Sequence, residues 1–420
     1  MSAMDKARAY LADRFPLINE LLTTRLKTTL AAAAALFLAL AIASYADLIL
    51  TSEDLFTKAG PIIGGDFIVF NHAARVAGTP DMIAIYDMAN LKAALQATYP
   101  GKGEFNLAWM YPPTMSLLIA PFGAPPYLVS FTLWIAIFGA FFIVVLSRLW
   151  ADKWALFFAV SAPATFQAVI TGQNGFLTAS LIALAGAFAD KRPIVAGLAA
   201  GLLTVKPQLG LLIPIAFIAG GCWRAFFVAA ATATLLAAAS YFAYGADAWV
   251  GFVESVAAHS ARMGQIGFPY HKLVTPYGFA SMLGAPSSAA GAVQSAASIA
   301  LAAYVFIIWR RVKDWDLRLA ALSTAAMLAT PYAFYYEIVI LTPAMFVIAR
   351  RAVQTGWLPH ERLALLLVWI APLMMPGPEK AIASICALGA FTAFLIAARR
   401  TLAAAGFMFA IEAKPAPAGS

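Results

Sequence analysis

Apolar residues run through this chain in long stretches, cut by short clusters of charge, proline or glycine. The stretches fall at about 28–50, 126–149, 154–171, 174–189, 193–206, 207–221, 223–244, 287–309, 317–333, 336–350, 362–376 and 380–398. A membrane-crossing helix needs roughly 20 mostly apolar residues, so the pattern predicts about twelve crossings, several of them short. A further run, Thr114–Ala124, has about eleven residues before Pro125-Pro126 and predicts a re-entrant or half-depth helix. The first stretch has no charge between Thr28 and Ala46. It is too long for a signal-peptide core and lacks a small-residue cleavage site before Asp47, so it reads as an uncleaved span. The chain is expected to be an all-α polytopic membrane protein. It would have one transmembrane domain over 28–400, a cytoplasmic N-terminal segment, 1–27, and a cytoplasmic tail, 401–420, whose Pro/Ala-rich end from Lys414 reads as disordered.

Charge sets the orientation. If Thr114–Ala124 does not cross, Arg148/Lys153, Lys191/Arg192, Arg224, Arg310/Arg311/Lys313/Arg318, Arg350/Arg351/Arg362 and Arg399/Arg400 all fall on the side of the N-terminus. That is the side the positive-inside rule makes cytoplasmic. Two long segments then lie outside, roughly 51–113 and 245–286. In the first, Met88, Leu91 and Leu95 have helical spacing and predict a surface helix over Asp87–Ala97. In the second, Trp249, Phe252 and Val256 do the same.

Composition supports the membrane reading: 62% of residues are hydrophobic and 11% charged, against about 25% charged in a soluble protein, and the mean hydropathy is +0.81. The net charge of +8 is accounted for by cytoplasmic loops. No basic run interleaved with aromatics points to nucleic acid. Cys222 and Cys386 have no metal-ligand spacing and imply no disulfide.

Against so apolar a background, polar residues outside the basic loops carry the candidate chemistry. Asp66 follows Gly64-Gly65 and precedes Phe67, Val69 and Phe70, so its carboxylate sits where the chain returns to apolar surroundings. Burial there raises a carboxylate's pKa and suits it to general-base work. Tyr111-Pro112-Pro113 opens the half-depth run, where proline fits a first helical turn and the helix N-terminus would face a phosphate. Gln173 and Asn174 interrupt two apolar runs, and amides there need partners or a ligand. Lys206, before Pro207, faces outward against the charge trend and suits a phosphate. Arg262, His271 and Lys272 supply further outer cations, and Tyr335 and Glu337 form a last polar break after Thr330-Pro331. Plainer readings stand beside these: an exposed loop carboxylate, a proline pair that merely starts a helix, helix-packing amides, a snorkelling lysine and an interfacial aromatic belt.

In order and spacing, Gly64–Phe67, Ile85-Tyr86-Asp87, Tyr111–Pro113, Gly172-Gln173-Asn174 and Lys206-Pro207 resemble glycosyltransferase family 87, of the GT-C superfamily, over roughly 60–350. The later break in that family often reads Ser-Pro followed by a histidine; here Thr330-Pro331 is followed by Tyr335, Tyr336 and Glu337. The resemblance implies a GT-C-like fold and transfer of one sugar, mannose or another hexose or pentose. The donor would be a polyprenyl-phosphate sugar, the acceptor an extracytoplasmic glycan or glycolipid, with inversion. Asp66 matches the catalytic Asp of the first outer loop. Lys206, Arg262, His271 and Lys272 would meet the donor phosphate, and Tyr111, Gln173, Asn174, Tyr335 and Glu337 the substrates. No cofactor or metal is expected, no nucleic acid is a partner, and the bilayer would be the inner (plasma) membrane of a bacterium, with the site facing the periplasm. The alternatives are a lipid-linked sugar flippase or transporter, and a glycan ligase or polymerase.

Overall fold

The computed structural model describes residues 26–407 apart from 59, 103, 266 and 374–382. The expected cytoplasmic segment 1–27 and tail 401–420 lie largely outside these residues. Among the described residues the regular structure is helical throughout, with three isolated β-bridges and no strand. Six helices are long and apolar enough to cross a membrane: Lys27–Leu50, Tyr127–Leu149, Trp223–Arg262, Ser287–Arg311, Tyr335–Thr355 and Cys386–Ala404. Lys153–Val160 and Pro163–Thr171, bent by 46° at a short break, make a seventh if counted as one. The chain is therefore an all-helical polytopic membrane protein, but length and composition do not yield the dozen crossings expected from the sequence. The remaining apolar stretches are short helices such as Pro113–Gly123, Gly175–Phe188, Pro193–Val205 and Pro207–Gly220. Glycine, proline and polar pairs end each of them early.

Apart from Pro113–Gly123, those short helices, with Trp315–Leu328 and Leu341–Thr355, connect two chemically different ends. Gly175–Phe188 leaves Asn174 and ends beside Asp190, and Pro193–Leu202 with the turn Leu203–Val205 returns from Arg192 to Lys206. At the basic end the charges are tied together. Arg318 Nη1 meets Asp190 at 2.7 Å, Arg350 meets Asp316 at 2.8 Å, and Arg351 pairs with Asp314 and Arg400 with Glu361. Arg318 is buried, and its other guanidinium nitrogens donate to Val312 O and Trp309 O. Pro193–Leu202 packs closely on Trp223–Arg262 because Gly197 and Gly201, one turn apart, leave room where a Cβ would strike Val228 and Thr232.

The two segments expected to lie outside, 51–113 and 245–286, form helices where their spacing predicts them. Met88–Thr98 is capped by Asp87, whose Oδ1 accepts from Asn90 N at 2.8 Å, and buries Leu91 and Leu95. Trp223–Arg262 breaks at Gly245 (φ 80°, ψ 174°), a conformation open mainly to glycine. The break separates an apolar stretch from the outer helix that carries Trp249, Phe252 and Val256. That helix docks by Ser255 Oγ donating to Trp109 O at 2.8 Å.

Candidate active site

Asp66 stands at the start of the helix Phe67–Val76. An aspartate there ordinarily caps the helix by accepting from backbone N–H groups, which contributes about 1 kcal/mol. Here it makes no such bond, and its backbone is already helical (φ −67°, ψ −11°). Its Oδ2 instead accepts from Gln173 Nε2 at 2.7 Å. Asp66 is half-buried. Burial raises its pKa, opposed by the Gln173 hydrogen bond and by the charges of Lys272 and Lys206.

Backbone contacts bring Asp66 and Gln173 together across a long sequence gap. Asp66 N donates to Thr171 O at 3.0 Å, and Tyr127 OH donates to Ile63 O at 2.7 Å, fixing the loop that leads into Asp66. Gly172, which ends the helix Pro163–Thr171, is left-handed at φ 61°, and a Cβ on it would strike Gly64 O and Phe67 Cβ. Gly172→Ala is therefore expected to lose more than about 1 kcal/mol of stability and to push Gln173 off Asp66. A thermal melt in detergent that matches wild type would show the two loops can part without cost.

Lys206 lies at the next break, 4% exposed. Its ammonium is ion-paired to Glu337, donates to Asn174 Oδ1 at 3.1 Å, and lies 5.6 Å from the centre of the Tyr111 ring. Glu337 is 2% and Asn174 1% exposed. Among the described residues, Glu337 Oε2 and Asn174 Nδ2 have no hydrogen-bond partner. Tyr111 completes the cluster by donating to Gln173 Oε1 at 3.1 Å, and burial raises the pKa of its phenol. Among the expected site residues, Asp66, Tyr111, Gln173, Asn174, Lys206 and Glu337 thus form one connected group.

The others surround it less closely. Lys272 is exposed on the turn Tyr270–Lys272, which also carries His271, and its charge reaches Asp66. The backbone of this outer segment joins the last polar break through Val274 N donating to Ala333 O at 2.9 Å. Tyr335 lies within electrostatic range of Asp66. Arg262 is not brought into the group; its guanidinium meets Met88 Sδ on the surface helix. Tyr336, in range of Asp66, Glu337 and Tyr111, and Tyr127 were not among the residues expected from the sequence. The run of tyrosines reads equally well as an interfacial belt, which hid Tyr336. Among the described residues, no three His, Cys, Asp or Glu side chains gather as a metal site. An apolar cavity of about 330 Å³ opens beside the cluster, with Val205, Leu118, Leu177 and the half-exposed Ile137 in its wall.

A polytopic helical membrane protein with a carboxylate, an ammonium and amides gathered at one end of short helices has the makings of a membrane-embedded transferase. The model of glycosyltransferase family 87 matches residues 109–331, just over half of the chain. The chain belongs to that family and is a membrane glycosyltransferase; placement in the GT-C superfamily is consistent with this. No curated protein and no solved structure matches it. The matched span is narrower than the resemblance suggested. It includes Tyr111, Gln173, Asn174, Lys206, Arg262, His271 and Lys272, whereas Asp66 precedes it and Tyr335 and Glu337 follow it.

Proposed function

We propose that this transferase moves a single sugar, mannose or another hexose or pentose, from a polyprenyl-phosphate donor to a hydroxyl of an extracytoplasmic glycan or glycolipid, with Asp66 as general base. The observation that carries the reading is the Asp66 carboxylate. It forgoes its helix cap, and burial raises its pKa toward the range in which a base works well. The acceptor hydroxyl gives its proton to Asp66 as its oxygen bonds to C1 of the sugar. The bond from C1 to the phosphate oxygen breaks, and its electron pair leaves with the lipid phosphate. Attack from the opposite face inverts the anomeric centre. Lys206 is already balanced by Glu337, so the growing phosphate charge is met from the outer turn by Lys272 and His271, with Arg262 further off. Tyr335 and Asn174 face the sugar. The apolar cavity beside Val205 suits a polyprenyl chain lying in the bilayer.

In this reading the basic end lies in the cytoplasm and the Asp66 end faces the periplasm. The short helices complete about twelve passes, and Pro113–Gly123 enters from outside without crossing. Cysteines introduced at Lys58 and Lys272 on a Cys-free background should react with an impermeant thiol reagent from outside, and those at Arg192 and Arg310 should not. Outside labelling at Arg192 would overturn this topology. The function is tested by incubating the purified protein with a panel of radiolabelled polyprenyl-phosphate sugars and a membrane lipid extract. Label should pass from one donor to an acceptor in the extract, and fail to do so with Asp66→Asn. A panel that gives no transfer, while nucleotide sugars do, would overturn the donor class.

A further inference from the structure

The geometry points to Tyr111 as a positioning residue that anchors Gln173 on Asp66 Oδ2 and so leaves Oδ1 as the oxygen that takes the acceptor's proton. This rests on the reading of Asp66 as the base. A carboxamide has one accepting and one donating end. Tyr111 OH donates to Gln173 Oε1 at 3.1 Å, so the amide presents Nε2 to Asp66 Oδ2 at 2.7 Å. Turning the amide over would set Oε1 against the carboxylate and lose the bond to Asp66 Oδ2, and the phenol would then have to accept from Nε2 instead of donating to Oε1. Among the described residues no other side chain is hydrogen-bonded to Asp66, so the two carboxylate oxygens are not equivalent.

Tyr111 is itself held on several sides. Its ring packs on Phe70 at 5.1 Å and Trp109 at 4.8 Å between centroids, and the Lys206 ammonium lies 5.6 Å from its centre. Phe70 is four residues after Asp66 on the same helix and therefore on the same face. Trp109 is fully buried, and Ser255 of the outer helix bonds its carbonyl. The phenol thus ties the outer helix, the Lys206–Glu337 pair and the amide that touches the base into one frame. Tyr111 and Gln173, expected from the sequence to touch substrate, act here on the base instead.

Tyr111→Phe removes the phenol oxygen and keeps the ring. Among the described residues, the titratable groups within electrostatic range of Asp66 are Lys272, Lys206, Tyr127, Tyr335 and Tyr336, besides Tyr111 itself. All but Tyr111 are untouched in this variant. The Gln173 bond favours the ionised carboxylate, so loosening it moves the midpoint of Asp66 ionisation to higher pH. The probe is the infrared carbonyl band of protonated Asp66, followed against pH in the purified protein without substrate and assigned by its loss in Asp66→Asn. The midpoint should rise in Tyr111→Phe and rise further in Gln173→Leu. In the transfer assay, Tyr111→Phe should lower kcat about ten-fold, the scale of one hydrogen bond, move the acid limb to higher pH, and leave both KM values near wild type. A Tyr111 that only fills space predicts no change in any of these. If Tyr111→Phe does not fold, Tyr111→Met, which also lacks the hydroxyl, carries the same test. An unmoved midpoint in the folded variants overturns the inference even where Asp66→Asn is inactive. A moved midpoint with an active Asp66→Asn keeps the amide anchor but removes Asp66 as the base.

Discussion

Asp66→Asn is expected to lower turnover by about 100- to 10,000-fold, the usual cost of removing one general base, while folded yield and donor binding stay close to wild type. The change keeps the size of the side chain, and a carboxamide oxygen can still accept from Gln173 Nε2. The basicity and the negative charge go. The wild-type rate should have an acid limb that follows the same group. With Asp66 as the base, as proposed, activity requires the ionised carboxylate, so it should be lost as pH falls through the Asp66 pKa. Burial raises that pKa, so the loss begins at a higher pH than for a surface aspartate. Single-turnover measurements with preloaded donor separate this from slow product release. Near-wild-type turnover in Asp66→Asn, with an unchanged acid limb, would remove Asp66 from the chemistry.

The second large effect concerns the buried pair. Lys206→Ala leaves Glu337, 2% exposed, without a counter-charge, and breaking such a pair from one side costs about 3–5 kcal/mol. Glu337→Ala strands the ammonium in the same way. Both variants should fold poorly, whereas Lys206→Met combined with Glu337→Leu should recover much of the lost stability, because an apolar pair of similar volume avoids the desolvation of both charges. The double variant should still be slow, since the Tyr111 ring loses the cation beside it and Asp66 one of its two supporting charges. A phosphate ligand predicts a different pattern: Lys206→Ala would fold normally and raise the KM for the lipid donor. Folded yield measured beside donor dependence decides between the two.

The polar breaks were legible in the sequence because Asp66, Gln173, Asn174, Lys206 and Glu337 interrupt apolar runs, where an unpartnered polar group is costly. What the sequence could not show was which would partner which. Lys206 taken alone suggests a phosphate, because its carboxylate partner lies far down the chain, in a stretch that also reads as an aromatic belt. Asp66 and Gln173 meet because Gly172 and Gly65 let two loops touch, a contact that hydropathy does not record. The break at Gly245 was marked in the sequence only as the end of an apolar stretch, whereas the helix at Met88–Thr98 followed from helical spacing. The number of crossings did not, since apolar length alone cannot tell a short helix that spans from one that stops inside.

The short helices have a consequence for how a lipid-borne sugar is reached. Gly175–Phe188 has 14 residues, about 21 Å at 1.5 Å per residue, against a hydrocarbon layer of about 30 Å. If its basic end sits at one surface, Asn174 and the Lys206–Glu337 pair sit several ångströms beneath the other. A lipid lifted until its head met a site in open water would expose methylenes at about 0.8 kcal/mol each, and five of them would already cost about 4 kcal/mol. A sunken site spares that climb. With the lipid-borne donor proposed above, the sugar would reach the protein by sideways diffusion within the leaflet, and the water-soluble end of the acceptor would descend to meet it.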